Sequence, residues 1–403
     1  MISPAAPERE QPAPVGRDRA AGALEPRTGA AARARIALVH DWLTGMRGGE
    51  KVLEAACELY PHAELFTMVR VPGTVSATIE RLRPASSFVS RLPLARQHYR
   101  SYLPLFPLAV EQFDLDRFDL VISTSHCAVK SIVRTGRARH LCYCHTPMRY
   151  VWDQRDAYFG PARVGRVPSV LLRPILAGLA RWDAATADRV DRYLANSQHV
   201  ARRIHQYYNR RASVVYPPVD TAFYQPDGST SAGGALVVSA LVPYKRVEVA
   251  IEACRQVGVP LRIVGRGPEL PRLRQLAGPG VQFLGSLTDE EIRAAYRQAQ
   301  LVLLTGEEDF GIVPLEAQAC GRPVVALARG GALETVIDGV TGVLVSDASA
   351  DGFAEGLRRA LGEGFDSRAI RRHAEGFARE RFADQFDAAV EAILAAPADA
   401  VRC

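Results

Sequence analysis

The chain has 403 residues, 48% of them hydrophobic and 23% charged, a globular composition too long for one ordinary core, so two domains are expected. Its formal charge of +6 suits anionic partners, whether nucleotide diphosphates, nucleic acid or an acidic membrane face, without choosing among them. Seven cysteines without a paired CxxC spacing argue against a disulfide framework or a zinc site, and no apolar run reaches the roughly 18–20 residues of a membrane span. A cytoplasmic protein, at most peripheral on the inner membrane face, is the resulting expectation.

Residues 1–34 are rich in Ala, Pro, Arg and Glu, show no helical or strand period, and are expected to form a disordered leader. RIALVH (Arg35–His40) predicts a buried strand. A turn, Gly45-Met46-Arg47-Gly48-Gly49, then leads into an amphipathic helix with Val52, Leu53, Ala56 and Leu59 inward. Glycines there let backbone approach a ligand closely, and the helix points its N–H groups at the same place; a plain connection uses the same residues. Further strands are expected at Glu64–Val69, Asp119–Ser123, His140–His145 and Arg192–Asn196, with helical segments between, the pattern of a mostly parallel, doubly wound sheet.

Within this half, Phe88–Phe113 mixes Arg91, Arg96 and Arg100 with Tyr, Leu and Phe. It reads equally as a surface for an anionic membrane or lipid-linked acceptor and as short helices packed on their own domain, since prolines 93, 104 and 107 interrupt any long helix. The longest apolar stretch, Val167–Ala180, is broken by Arg173 and two prolines. YCHTPMRYVWD (Tyr143–Asp153) places His145 at a strand end, where His-Thr-Pro forces an extended backbone. Cys142 and Cys144 beside it make a poor tetrahedral metal site.

The first domain is expected to span 35–222 and a polar linker 223–234. The second domain, 235–375, carries strands at Ala235–Ala240, Leu261–Val264, Val281–Gly285, Leu301–Leu304 and Pro323–Leu327. One helix starts at Lys245, another at the Thr288–Glu291 capping box, and a third has Pro314 near its start and Gly321 past its end. A final helix, 376–395, has room to brace the first domain. The fold class is α/β, with two Rossmann-like doubly wound domains facing a cleft.

The loop after Leu304 concentrates chemistry at the carboxyl end of a strand, the rim where open α/β sheets bind ligands. Glu316 can accept two ribose hydroxyl protons and Glu308 those of a sugar, while the N–H groups of Phe310, Gly311, Ile312 and Val313 supply donors. As structural residues, the two glutamates would merely favour a helix N-terminus. Lys245, with Arg246 beside it, can place positive charge on a diphosphate; an ordinary exposed helix pair looks the same. Gly265 and Arg266 lie in the loop after another strand end, near where a nucleotide base would be read. No Asp-x-Asp pair stands in a strand-end loop to hold magnesium, so metal independence is expected, with no cofactor besides a nucleotide diphosphate sugar as donor.

The run from Glu308 through Asp-Phe-Gly-Ile-Val-Pro-Leu to Glu316, followed by AQACGRPVVA, resembles the two-glutamate motif of glycosyltransferase family 4, retaining enzymes of the GT-B fold. HDWLTGMRGGEKV, HTPMRYVWD, NSQHVARRI, YPPVD, LVPYKR, IVGRGPEL and TGVLV extend the resemblance, in family order, over about residues 35–390. It implies that Glu316 holds the nucleotide ribose, Glu308 and the backbone of Phe310–Ile312 the donor sugar, and Lys245 the diphosphate. It also implies that Gly48 and Gly49 approach the diphosphate or acceptor and that His145 reaches the sugar, which makes Glu308, Lys245 and His145 the expected catalytic residues. The chain departs from the family at Ala240, where an arginine is common, leaving Arg246 or Arg266 to substitute. HDWLTGMRGGEKVLE and HTPMRY look most like bacterial GDP-mannose-dependent mannosyltransferases of polysaccharide assembly. The expected function is retaining transfer of a hexose, mannose by this resemblance, to a glycan or lipid-linked acceptor. Two rivals are a nucleotide-sugar epimerase of GT-B-like fold and a non-enzymatic module binding membrane or nucleic acid; the dispersed basic residues, without an RNA or DNA motif, speak against nucleic acid.

Overall fold

The computed structural model describes residues 23–134, 136–161, 165–229 and 231–397. Two compact units result: one runs to Pro218 and takes in the chain from Arg379 onward, and the other is Val219–Ala378. The first unit holds a parallel sheet in the order β3-β2-β1-β4-β5-β6-β7, built from β1 (Ile36–Leu43), β2 (Glu64–Arg70), β3 (Ala85–Ser86), β4 (Leu120–Ser125), β5 (Arg139–Cys144), β6 (Arg192–Ala195) and β7 (Ala212–Val214). The second holds a parallel sheet in the order β10-β9-β8-β11-β12-β13. Its strands are β8 (Ala235–Val238), β9 (Leu261–Val264), β10 (Val281–Gly285), β11 (Leu301–Leu304), β12 (Val324–Leu327) and β13 (Gly342–Val345). In both sheets the order reverses beside the first strand, between β1 and β4 and between β8 and β11. Crevices form at such switch points outside the carboxyl ends of the strands.

Central strands are apolar because helices cover both of their faces, and β1 and β11 are buried along their whole length. β1 runs to Leu43, past the expected end at His40, although the added residues begin with an aspartate. Asp41 can stay in the strand because its carboxylate accepts four backbone N–H groups, from His126, Cys127, Ala128 and Val129, at 2.7–3.1 Å. β3 and β7 were not foreseen. Two and three residues of edge strand carry too little alternation to register.

Two expectations need correction. Residues 23–34 are not a disordered leader: Leu24 and Ala31 are buried, a short helix spans Ala30–Arg33, and Ala31 N–H donates to Glu391 Oε1 at 2.9 Å. Two apolar contacts and a few ion pairs, Arg27–Asp384 among them, anchor a segment whose composition alone reads as solvated. Residues 1–22 lie outside the described residues. The expected linker 223–234 begins too late, since the units divide at Pro218 and Tyr224 is buried against Tyr296 in the second unit's core. Of the two readings of Phe88–Phe113, the fold favours packing on its own domain: the segment forms short turns and helices whose Val89, Tyr99, Leu103, Phe106, Ala109 and Val110 are buried in the first unit's core, while Leu94 and Leu108 are exposed.

The closing helix, Arg379–Ala395, packs Phe382, Phe386, Val390 and Ile393 into the core under β1 and β5. Phe386 stacks on Phe382 at 5.1 Å and meets Tyr143 at 6.1 Å. Among the described residues, no helix is long and apolar enough to cross a membrane.

Candidate functional site

In the second unit, the loops at the carboxyl ends of β8 and β11 are bound to each other. Thr305 Oγ1 donates toward the carbonyls of Lys245 and Arg246, 3.0 Å from each. Gly306 packs so closely that a Cβ there would lie 2.6 Å from Tyr244 O. The result is an ion pair between Lys245 Nζ and Glu308 Oε1, largely shielded from solvent, at the switch point of the sheet. Tyr244 lies beside it, its ring centroid 5.2 Å from the ammonium. A second clamp holds the other side of the loop: Gly331 N–H donates to Glu308 O at 2.8 Å, and a Cβ on Gly331 would lie 2.3 Å from Phe310 Cα.

The helix after this loop is Ile312–Ala319, capped at Gly311 in the left-handed region. Glu316 therefore falls in its second turn and is 5% exposed. Tyr296 OH donates to its Oε2 at 3.0 Å, a partner from the neighbouring helix that sequence spacing does not reveal. Burial and the adjacent Glu316 carboxylate push the Tyr296 phenol far up, so it remains a donor. Phe310 is buried and Gly311, Ile312 and Val313 are half-buried. The helix expected from Lys245 starts at Val247; Lys245 instead ends a 3₁₀ turn, Pro243–Lys245, and Arg246 adopts a left-handed φ of 53° to begin the helix. Arg266 is exposed next to Gly265, whose N–H donates to Gly285 O at 2.7 Å. Ala240 is exposed.

In the first unit, Gly48 and Gly49 open the Gly48–Leu59 helix. A Cβ on Gly49 would lie 3.6 Å from both His145 Nε2 and His40 Cε1, so the expected glycine and histidine are neighbours. His145 is buried at the end of β5, its N–H donating to Ser125 O at 2.8 Å and its carbonyl accepting from Asn196 Nδ2 at 3.0 Å. Two further histidines join it: the His40 and His126 ring centroids lie 6.5 and 6.2 Å from that of His145. His126 Nδ1 is 3.3 Å from Asp41 Oδ2, and His40 Nδ1 is 2.7 Å from Thr124 Oγ1 with its Nε2 3.8 Å from Glu50 Oε1. Burial, then the neighbouring His40, hold His126 well below the usual imidazole range. Burial opposes ionisation of Glu50, but its contact with His40 and the nearby Arg47 outweigh that and lower its pKa. His40 and Asp41 stand in the HDWLTGMRGGEKV motif, yet no spacing in the sequence signals that β1 and β4 bring them to His126.

Among the described residues, no group of three or more His, Cys, Asp or Glu side chains is arranged to hold a metal ion.

A family model for Glycosyltransferase Family 4 matches residues 65–223, and one for Glycosyl transferases group 1 matches residues 233–377. D-inositol 3-phosphate glycosyltransferase of Mycolicibacterium paratuberculosis is 32% identical over 337 residues, covering 72% of this chain and 74% of the relative. The protein of the same name from Geodermatophilus obscurus is 36% identical over 252 residues, covering 52% of this chain; that match spans about half of the relative's length, 55%. Two solved structures share the fold: Anabaena HepE in complex with UDP-glucose (TM-score 0.65, 20% identity, 89% of this chain and 99% of that one) and sucrose-phosphate synthase from Thermosynechococcus elongatus (TM-score 0.68, 19% identity, 91% and 100%).

Proposed function

Because the chain belongs to the glycosyltransferases that carry a Family 4 domain followed by a group 1 domain, we propose that it moves a hexose from a nucleotide diphosphate sugar to a hydroxyl of a glycan or lipid-linked acceptor. The observation that carries this reading is the Lys245–Glu308 pair at the switch point of the second sheet, a cation for the departing diphosphate beside an acceptor for sugar hydroxyls. Glu316, held by Tyr296, is the ribose ligand, and the backbone of Phe310–Val313 meets the donor sugar. In the first unit, Gly48, Gly49 and His145 line the acceptor side, joined by His40 and His126.

The bond between the sugar C1 and the diphosphate oxygen breaks, and a bond from C1 to the acceptor oxygen forms on the same face. The acceptor proton passes to the departing phosphate oxygen, so configuration is retained without a protein nucleophile. Positive charge aimed at the leaving group is the largest source of acceleration in such a site, and Lys245 supplies it without a metal. With Ala240 in place of an arginine, Arg246, beside Lys245, or Arg266, in the loop after β9, supplies the further cation.

For the donor we propose GDP-mannose, on the HDWLTGMRGGEKVLE and HTPMRY resemblance, in cell-surface polysaccharide assembly. The UDP-glucose complex of HepE supports a uridine donor as the competing choice, and the relatives' name supports inositol 3-phosphate as an acceptor to try. The test is release of nucleoside diphosphate by the purified chain from GDP-mannose and UDP-glucose, with and without acceptors. Acceptor-dependent release that Glu308→Gln abolishes is expected; interconversion of the free nucleotide sugar with no transfer would overturn the transferase reading in favour of an epimerase.

A further inference from the structure

The Arg166–Ala185 helix of the first unit has two unlike sides. Ser169, Leu172, Leu176, Leu179 and Ala180 turn inward, packing on the core or half-buried beside it. Its carboxyl end is fixed by the helix's one acidic residue, Asp183, fully buried: Asp183 Oδ2 accepts from Trp152 Nε1 at 2.8 Å and from Tyr208 OH at 2.9 Å, and Lys130 Nζ lies 3.1 Å from Oδ1. The opposite side is apolar and open to solvent. Val167, Val170, Leu171 and Ile175 are 70%, 55%, 66% and 43% exposed, a stripe at i, i+3, i+4 and i+8. Arg166, Arg173 and Arg181 are exposed with it, and no carboxylate of the helix shares that side.

We propose that this outward side docks the protein on an anionic lipid bilayer. An apolar stripe set among arginines on a helix held rigidly at its other end is the form of an interfacial helix, which lays its apolar side into the boundary between headgroups and acyl chains. The charge pattern selects the occupant. A second copy meeting this side across a two-fold axis would oppose arginines with arginines, with no carboxylate of the helix to offset them, whereas anionic headgroups complement all three. The inference places the contact on the Arg166–Ala185 helix and not on Phe88–Phe113, where most large apolar side chains are buried in the core and the exposed Leu94 and Leu108 form no helical stripe. It does not depend on the donor chemistry, because vesicle binding is read without donor or acceptor.

Co-sedimentation of the full chain with vesicles of phosphatidylcholine, with and without phosphatidylglycerol, tests it. Binding is expected to need phosphatidylglycerol and to weaken as salt rises. Leu171→Asp, on the exposed side where the fold tolerates it, is expected to weaken binding about tenfold or more. Arg166→Gln with Arg173→Gln is expected to weaken it about thirtyfold on anionic vesicles, since each arginine near the surface contributes about fivefold; should Leu171→Asp not fold, this pair decides. Wild-type chain left in the supernatant, or binding that ignores phosphatidylglycerol and both sets of substitutions, overturns the proposal. So does a dimer that Leu171→Asp converts to monomer while vesicle binding is unaffected, because the stripe would then be a seat for a second copy.

Discussion

Lys245 and Glu308 are distant in sequence and meet because Thr305 holds the two strand-end loops together through the Lys245 and Arg246 carbonyls. The pair itself is not what keeps that geometry, so its members can serve a ligand without loosening the fold. Lys245→Ala is accordingly expected to cut turnover by about 10²–10³, the loss of one preorganised charge at a leaving group. The same substitution should leave the thermal unfolding midpoint within a few degrees of wild type, since Thr305 and the close packing of Gly306 and Gly331 hold the loops independently of the pair. Steady-state release of nucleoside diphosphate and a melting curve on one preparation check both; a collapse of stability would show the lysine to be structural. Glu316 differs from Glu308 at this scale. Its burial and its bond from Tyr296 make it a rigid acceptor, fixed before any ribose arrives.

At the scale of elements, the site is a property of two loops and the glycines that press on them. Residues 305–311 lie between Tyr244–Lys245 on one side and Gly330–Gly331 on the other, where no side chain larger than hydrogen fits. Gly331→Ala would drive a methyl to 2.3 Å from Phe310 Cα and force the loop away from β11. The expected outcome is a large rise in KM for the donor with the far-ultraviolet dichroism of the sheet and helices unchanged. An unaltered KM would mean that the loop's position is not what binds the donor. The sequence announced this loop, because a strand, a polar turn, a proline near the helix start and a closing glycine are local signals. It did not announce Gly331, Tyr296 or the His40–His126–His145 group, because each acts on residues brought near it only by tertiary packing.

For the molecule as a whole, the stability of the first unit is tied to keeping buried imidazoles uncharged. His140 is fully buried between Ser123 Oγ, 2.8 Å from its Nε2, and the Arg189 carbonyl, 3.1 Å from its Nδ1. Burial, aided by Arg134, lowers its pKa from 6.5 to about 3. Below about 6.5 the unfolded chain takes up a proton that the folded chain declines until about 3, so stability falls as pH falls through that window. The loss is up to about 1.4 kcal/mol per pH unit for this group, and His126, also held low, adds to it. Urea unfolding followed from neutral pH into that window should show the decline, and His140→Gln should flatten it; a profile that stays level over the window would refute the assignment.

What the sequence determined by itself was everything that local periodicity and short motifs encode: the alternation of strand and helix, the α/β class with two doubly wound units, and the loop bearing Glu308 and Glu316. Each depends on residues adjacent in the chain, where backbone geometry couples pattern to structure directly. Tertiary structure decided the rest. Asp41 stays inside a strand because four N–H groups from another strand's end satisfy it. Residues 23–34 order because carboxylates and apolar side chains from a helix more than 300 residues later receive them. Phe88–Phe113 turns most of its apolar side chains inward and the Arg166–Ala185 helix keeps a stripe of them outward, although both read alike as basic and apolar, because only packing assigns which face of an amphipathic segment finds a partner.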